Sequence, residues 1–125
     1  VRQRTLGGKD VTAADYIGEL AAMRHAQAAF AAWMRGYDAL LMPTLPITAV
    51  PVAEVDEATA PLAAFTRAVN YLGGCALSLP CHRDGDWPVG LMVWAPALCD
   101  DRVLSLSLAI GRALAPLRHA TRSGA

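Results

Sequence analysis

Tyr16, Leu20, Met23, Phe30, Met34 and Tyr37 step along the chain by fours and threes, and Gln27 is the only polar residue on that stripe. Spacing of this kind places side chains on one face of an α-helix. Thr12 stands where an N-cap belongs. Asp15, three residues on, is set to reach back as the acidic member of a capping box. Gly36 lies where such a helix can stop. The stripe has two readings, a coiled-coil seam or a face packed on its own domain. Ile17, Trp33 and several alanines widen the face, and few charges flank it to choose a partner. Packing within the domain is the expectation.

The rest of the chain is cut into shorter pieces. Residues 1–11 read as a flexible tail with a break at Gly7-Gly8. Asp-Ala-Leu-Leu-Met (38–42) is a short apolar run closed by Pro43, which reads as a buried strand. Residues 44–55 carry Pro46 and Pro51 and read as an extended loop. Residues 59–72 read as a second helix, with Thr59 as cap, Pro61 in the first turn and Phe65 and Val69 on one face. Gly73-Gly74 ends it. Residues 76–79 and 89–94 read as strands joined by a long hairpin loop with a turn at Asp84-Gly85. Residues 100–117 mix two patterns. Leu104, Leu106, Leu108 and Ile110 alternate like a strand, whereas Ile110, Leu114 and Leu117 follow helical spacing. The Asp100-Asp101 pair suits a helix N-terminus, and the length favours a helix. Residues 118–125 read as a second tail. The fold class is therefore α+β: a long N-terminal helix, a short strand, a second helix, a β-hairpin and a C-terminal helix.

Composition narrows the function. The chain has 125 residues, 54% of them hydrophobic and 18% charged, which excludes a disordered chain. Eleven basic residues balance eleven acidic ones, so a nucleic-acid partner drawn by bulk positive charge is not expected. No apolar run reaches the ~18 residues of a membrane span. Three cysteines make no disulfide framework. The expectation is a reduced, cytoplasmic protein. Val1 in place of Met fits either a trimmed start or a piece of something longer.

Searching for chemistry gives little. Cys75, Cys81, His82 and Cys99 lack the tight spacing of a zinc site. Cys81 and His82 are sequence neighbours whose side chains diverge in an extended chain, so they do not make a nucleophile–base pair. Gly7-Gly8-Lys9 lacks the preceding strand and glycine spacing of a phosphate loop, and Gly73-Gly74 lacks a lysine. Asp84 and Asp86 sit in a turn, and Asp100 and Asp101 at a helix start, so all four have structural explanations. No metal and no cofactor is expected.

Three stretches in fixed order change the picture. Tyr-Asp-Ala-Leu-Leu-Met-Pro-Thr-Leu-Pro (37–46) follows the long helix. Phe65-Thr66, Asn70 and Gly73 then lead to Ala-Leu-Ser-Leu-Pro (76–80). Trp-Pro-Val-Gly-Leu-Met-Val (87–93) runs on to the terminal helix. In order and spacing this resembles the C-terminal part of an amidase-signature enzyme, from about Val11 to about Leu117. Each motif alone is weak, and their combination is specific. Cys75 stands in place of the usual proline, His82 where glycine is common, Trp87 in place of an aliphatic residue, and Met92 in place of glutamine.

The resemblance implies hydrolysis of carboxamide C–N bonds by a serine nucleophile, a bridging serine and a lysine base. None of those catalytic residues maps onto this chain. Ser78, Ser105, Ser107 and Ser123 lie outside any Gly-Ser-Ser-Gly context, and Lys9, the only lysine, lies in the tail. The resemblance also implies that residues 1–125 form part of a larger mixed-sheet domain, whose remainder is the expected partner. Self-association through exposed apolar surface is a further expectation. The loops at 44–49 and 70–73 would border the substrate pocket, with Thr44, Asn70 and Tyr71 as its border residues. For Asn70, capping of the turn at Gly73 is the simpler role. Trp87 and Trp94 read as packing residues. Two alternatives stand beside the amidase segment: a non-catalytic binding or scaffold module derived from such an enzyme, and the matching segment of an amidotransferase A-type subunit.

Overall fold

The structure, a computed structural model, describes residues 2–56, 62–83 and 85–118. Helix α1 (Arg2–Gly7) and a short 3-10 turn (Gly8–Asp10) occupy the stretch read as a tail, which therefore has helical backbone. Helix α2 (Ala13–Trp33) follows. Its start is built as the sequence predicts. The Thr12 Oγ1 accepts from the Asp15 N–H at 3.1 Å, and the Thr12 hydroxyl donates to the Asp15 carboxylate at 2.6 Å. The acid thus holds the capping hydroxyl itself rather than the cap's N–H. Gly36, at φ +95°, turns the chain out of the helix in a conformation that side chains rarely adopt.

Strand β1 (Leu40–Pro43), helix α3 (Thr66–Tyr71), strands β2 (Cys75–Pro80) and β3 (Gly90–Ala95), and helix α4 (Asp100–Arg118) complete the order. The sheet runs β1-β3-β2, and both pairings are antiparallel. Trp94 lies opposite Leu40 on one side and Ala76 on the other, and Met92 opposite Met42 and Ser78.

Alternation then sorts the strands into two faces. Leu77, Leu79, Val93 and Ala95 pack with Val103, Leu106 and Ile110 of α4. Leu40, Met42, Met92 and Trp94 face the other way and pack with Phe30 of α2, Val69 of α3, Phe65 and Leu72. The result is three layers, with the central strand β3 buried on both sides. Ser107 is buried against the sheet, and a Cβ at Gly111, one turn on, would reach Leu79. These small residues let α4 lie close.

Several expectations change in the folded chain. β1 is an edge strand, not a buried one, and its Leu41 is exposed. A proline is tolerated there because Thr44, one residue on, donates to β3, so the position of the missing N–H faces away from that strand. The second helix begins at Thr66, and residues 62–65, expected within it, form turns instead; Thr59 and Pro61, its expected cap and first turn, lie outside the described residues, as do Asp84 of the hairpin turn and residues 119–125 of the expected tail. The α2 stripe packs at its C-terminal end, where Phe30 stacks on Trp94 at 4.7 Å. Tyr16 and Ile17 near its start are exposed. Gln27, the polar break in the stripe, donates from Nε2 to the Tyr71 carbonyl at 3.1 Å and so ties α2 to the end of α3. Trp94 packs as expected, whereas Trp87 is exposed. Among the described residues no helix is long and apolar enough to cross a membrane.

One exposed position offers a clean control of helix stability. Gly18 sits inside α2, and a Cβ there meets nothing within 4 Å. Gly18→Ala should stabilise the chain by ~0.5–1 kcal/mol, since alanine loses less backbone entropy on folding. A rise in the urea midpoint at constant slope would show it; a fall would mean that α2 is not helical at that point.

Candidate functional site

The face that carries Trp94 is covered at one end only. Phe30, Phe65, Val69 and Leu72 lie over Trp94, Met92, Leu40 and Met42. Beyond Met42 and Met92 the strands run on to Thr44, Gly90, Ser78 and Pro80. Here the sheet borders an open cavity of about 500 Å³, lined by residues 44–49 and 88–90 with Ser78, Pro80 and His82.

Sheet geometry fixes the floor of this cavity. The Thr44 N–H donates to the Gly90 carbonyl at 2.8 Å, which extends the β1–β3 pairing by one step. Pro80 lies opposite Gly90 on the other side. Thr44 Oγ1 and Ser78 Oγ then meet across β3, 2.6 Å apart, in a hydroxyl–hydroxyl hydrogen bond. They can meet only because residue 90 has no side chain. A Cβ on Gly90 would lie 2.5 Å from Ser78 Oγ and 2.6 Å from Thr44 Oγ1. The three sequence motifs, Met-Pro-Thr, Ala-Leu-Ser-Leu-Pro and Pro-Val-Gly-Leu, thus converge at one point of the fold.

His82 stands on the cavity wall. The Val89 N–H lies 3.4 Å from its Nδ1. The Cys81 thiol donates to the Val89 carbonyl at 3.5 Å, and His82 Nδ1 lies 3.5 Å from the same oxygen. The two neighbours therefore converge on one main-chain group rather than diverging, because the chain has left the strand at Cys81. Among the described residues the lining contains no Asp, Glu, Lys or Arg. Among the described residues no group of three His, Cys, Asp or Glu is placed to hold a metal ion.

Of the three border residues expected from the sequence, Thr44 lines this cavity, whereas Asn70 and Tyr71 do not. Both lie at the end of α3, against a different part of the molecule. The Asn70 carbonyl accepts from the Gly73 N–H at 3.2 Å, and Tyr71 is held through its carbonyl by Gln27. Ser78, His82 and Gly90 were missed as cavity residues. Two signals for them exist in the sequence: the polar residue between two leucines in Ala-Leu-Ser-Leu-Pro, and a glycine opening an apolar strand, which marks a close approach. His82 left no such signal, since its place depends on the hairpin loop.

The mixed helix-and-sheet fold agrees with the comparisons. Residues 1–104 match the amidase family model. The chain belongs to the amidase family. It is 40% identical over 89 residues to the A-type subunit of glutamyl-tRNA(Gln) amidotransferase from Acidothermus cellulolyticus, a match covering 65% of this chain and 17% of that protein. It is 39% identical over 93 residues to the same subunit from Mycobacterium leprae, covering 69% and 18%. Its fold matches a crystal structure of an amidase with a TM-score of 0.74 and 28% identity, over 89% of this chain and 28% of that one. It also matches the crystal structure of the A-type subunit of glutamyl-tRNA(Gln) amidotransferase from Thermotoga maritima, with a TM-score of 0.65 and 30% identity, over 87% and 25%. The chain thus spans less than a fifth of the length of these sequence relatives.

Proposed function

We propose that this chain is a C-terminal segment of an enzyme that hydrolyses carboxamide C–N bonds, and that it supplies one wall of the substrate pocket. The observation that carries the reading is the meeting of Thr44, Ser78 and Gly90 on the cavity floor. One residue from each of the three motif stretches that resemble the family meets the others there. The serine nucleophile, bridging serine and lysine base lie in the remainder of the domain in this reading. The apolar surface left open here supports such a remainder. Tyr16 and Ile17 on α2, Leu41 on β1, and Leu104 and Leu108 on α4 are all exposed. Among the described residues both outer strands offer unpaired main-chain edges to further strands. Self-association through the same surfaces is what the isolated chain would do in their place.

A second reading, the matching segment of an amidotransferase A-type subunit, is favoured by the names of the relatives at 39–40% identity. One experiment tests both. The polypeptide bearing this sequence is isolated from its source cells, and its intact mass, its partners and its release of ammonia from simple carboxamides are measured. The expected result is a mass several times that of 125 residues and amide turnover blocked by a serine-reactive probe. Co-purifying partners with ammonia transfer would move the assignment to the amidotransferase reading. A native mass equal to that of the 125-residue chain would overturn both and leave a non-catalytic binding module.

A further inference from the structure

We propose that the chain forms a two-fold dimer with a second copy of itself, in which β2 pairs with β2 and α4 packs on α4. The inference uses only surfaces of this chain and goes beyond the hydrolase reading. It starts from one row of α4. Asp100, Leu104, Leu108 and Arg112 follow one another at intervals of four, so they share one side of the helix. All four are exposed. The row runs acid, leucine, leucine, base, and turned end for end it is its own complement. An antiparallel copy sets Asp100 against Arg112 and Leu104 against Leu108, and two-fold symmetry makes each contact twice.

The fold sets this row beside an open sheet edge. Leu104 and Val103 share a cavity of about 120 Å³ with Cys75, Ala76 and Leu77 of β2. A Cβ at Gly111 would reach Leu79. The helix therefore runs along β2, which is an outer strand among the described residues. The Cys81 N–H donates to the Val89 carbonyl at 2.9 Å, so the odd-numbered residues of β2 bond to β3. The N–H and C=O of Ala76 and Ser78 then point away from the sheet. Pairing two β2 strands about Leu77 joins Ala76 to Ser78 twice, with four main-chain hydrogen bonds. The N–H that Pro80 lacks is not called on. β1 offers no such edge, because Pro43 stands on its outer side. One axis serves both pairings, since Leu104 lies by Leu77 and Gly111 by Leu79. The helix packs on β2 and β3. With strands ~4.8 Å apart, two such helices lie about 10 Å apart across the axis, the spacing of packed helices.

The test follows the 125-residue chain by sedimentation equilibrium in the tens of micromolar, and by hydrogen exchange at its backbone amides. Twice the mass of one chain is expected, with the Ala76 and Ser78 amides slower to exchange than in dilute chain. Arg112→Glu sets like charges against each other at both ends of the helix pair and should raise the dimer Kd about tenfold. Asp100→Arg added to Arg112→Glu restores opposite charges and should recover most of the parent affinity. Both positions are exposed, so neither change touches the core. A monomer at these concentrations, an open series of larger species, or a dimer unmoved by Arg112→Glu would each overturn the proposal. So would a dimer whose Ala76 and Ser78 amides exchange as fast as in the monomer. None of these outcomes bears on amide turnover by the native polypeptide, so failure of the dimer and failure of the hydrolase reading stay distinct.

Discussion

Trp94→Ala should destabilise the chain by ~3–5 kcal/mol, a large fraction of the stability of a domain of this size. Trp94 lies on the central strand, is 4% exposed, and stacks on Phe30 with ring planes 22° apart. Val69 and Met92 complete the cluster around it. Removing the indole would leave a cavity that neither the sheet nor α2 can close, because Leu40 and Ala76 fix the strands on both sides. Trp94→Phe should cost far less. The indole Nε1–H is buried and without a hydrogen-bond partner among the described residues, so phenylalanine gives up packing area but also removes an orphaned donor. Urea unfolding of the three proteins decides the matter. Equal midpoints for Trp94→Ala and the parent would mean that α2 does not dock on this face.

Gly90→Ala should cost ~1–3 kcal/mol from overpacking, with a further ~1 kcal/mol if the hydroxyl pair is lost. The new methyl would collide with both oxygens of that pair, and Thr44 Cβ would lie 3.1 Å away. A serine or threonine can rotate its oxygen aside, but Thr44 Cβ cannot move without shifting the end of β1. Adding Ser78→Ala removes one of the colliding oxygens. The double variant should therefore be less destabilised than the sum of the two single changes, with a coupling of about 0.5–3 kcal/mol. Strict additivity would show that the three residues do not meet. Gly18→Ala is the internal control, because the same substitution in open space has the opposite sign.

The contrast between α2 and α3 shows how far a sequence of this kind can be read. The four-and-three stepping of apolar residues, a threonine cap and a terminal glycine located α2 closely. These are local signals, set by backbone hydrogen bonding within a few residues. The start of the second helix was not readable in that way. It begins at Thr66 after turns at 62–65, and its cap position is Phe65, whose side chain makes no capping bond. What holds it is Val69 packed under Trp94, a contact with a strand far along the chain. The terminal segment was readable as a helix despite its strand-like alternation, because length outweighs a short run of period two. Which of its leucines are covered was not readable. Leu106 packs on the sheet, while Leu104 and Leu108 are exposed.

The candidate site divides along the same line. Thr44, expected at the pocket border from the resemblance of its motif, lies on the cavity described above. Asn70 and Tyr71, expected there from the same resemblance, lie at the end of α3, where Gln27 donates to the Tyr71 carbonyl. His82 entered the cavity only through the path of the hairpin loop.

By itself, then, the sequence determined the kinds of element, the fold class and the family, because caps, glycines, periodicity and motif order are properties of neighbouring residues. Only the tertiary structure decided that Thr44, Ser78 and Gly90 share one point, that β1 is an edge, and that Trp94 rather than Trp87 is the core tryptophan. Those outcomes depend on strand register. A shift of one residue would turn every side chain of a strand to the opposite face, and no local signal in the chain fixes that choice.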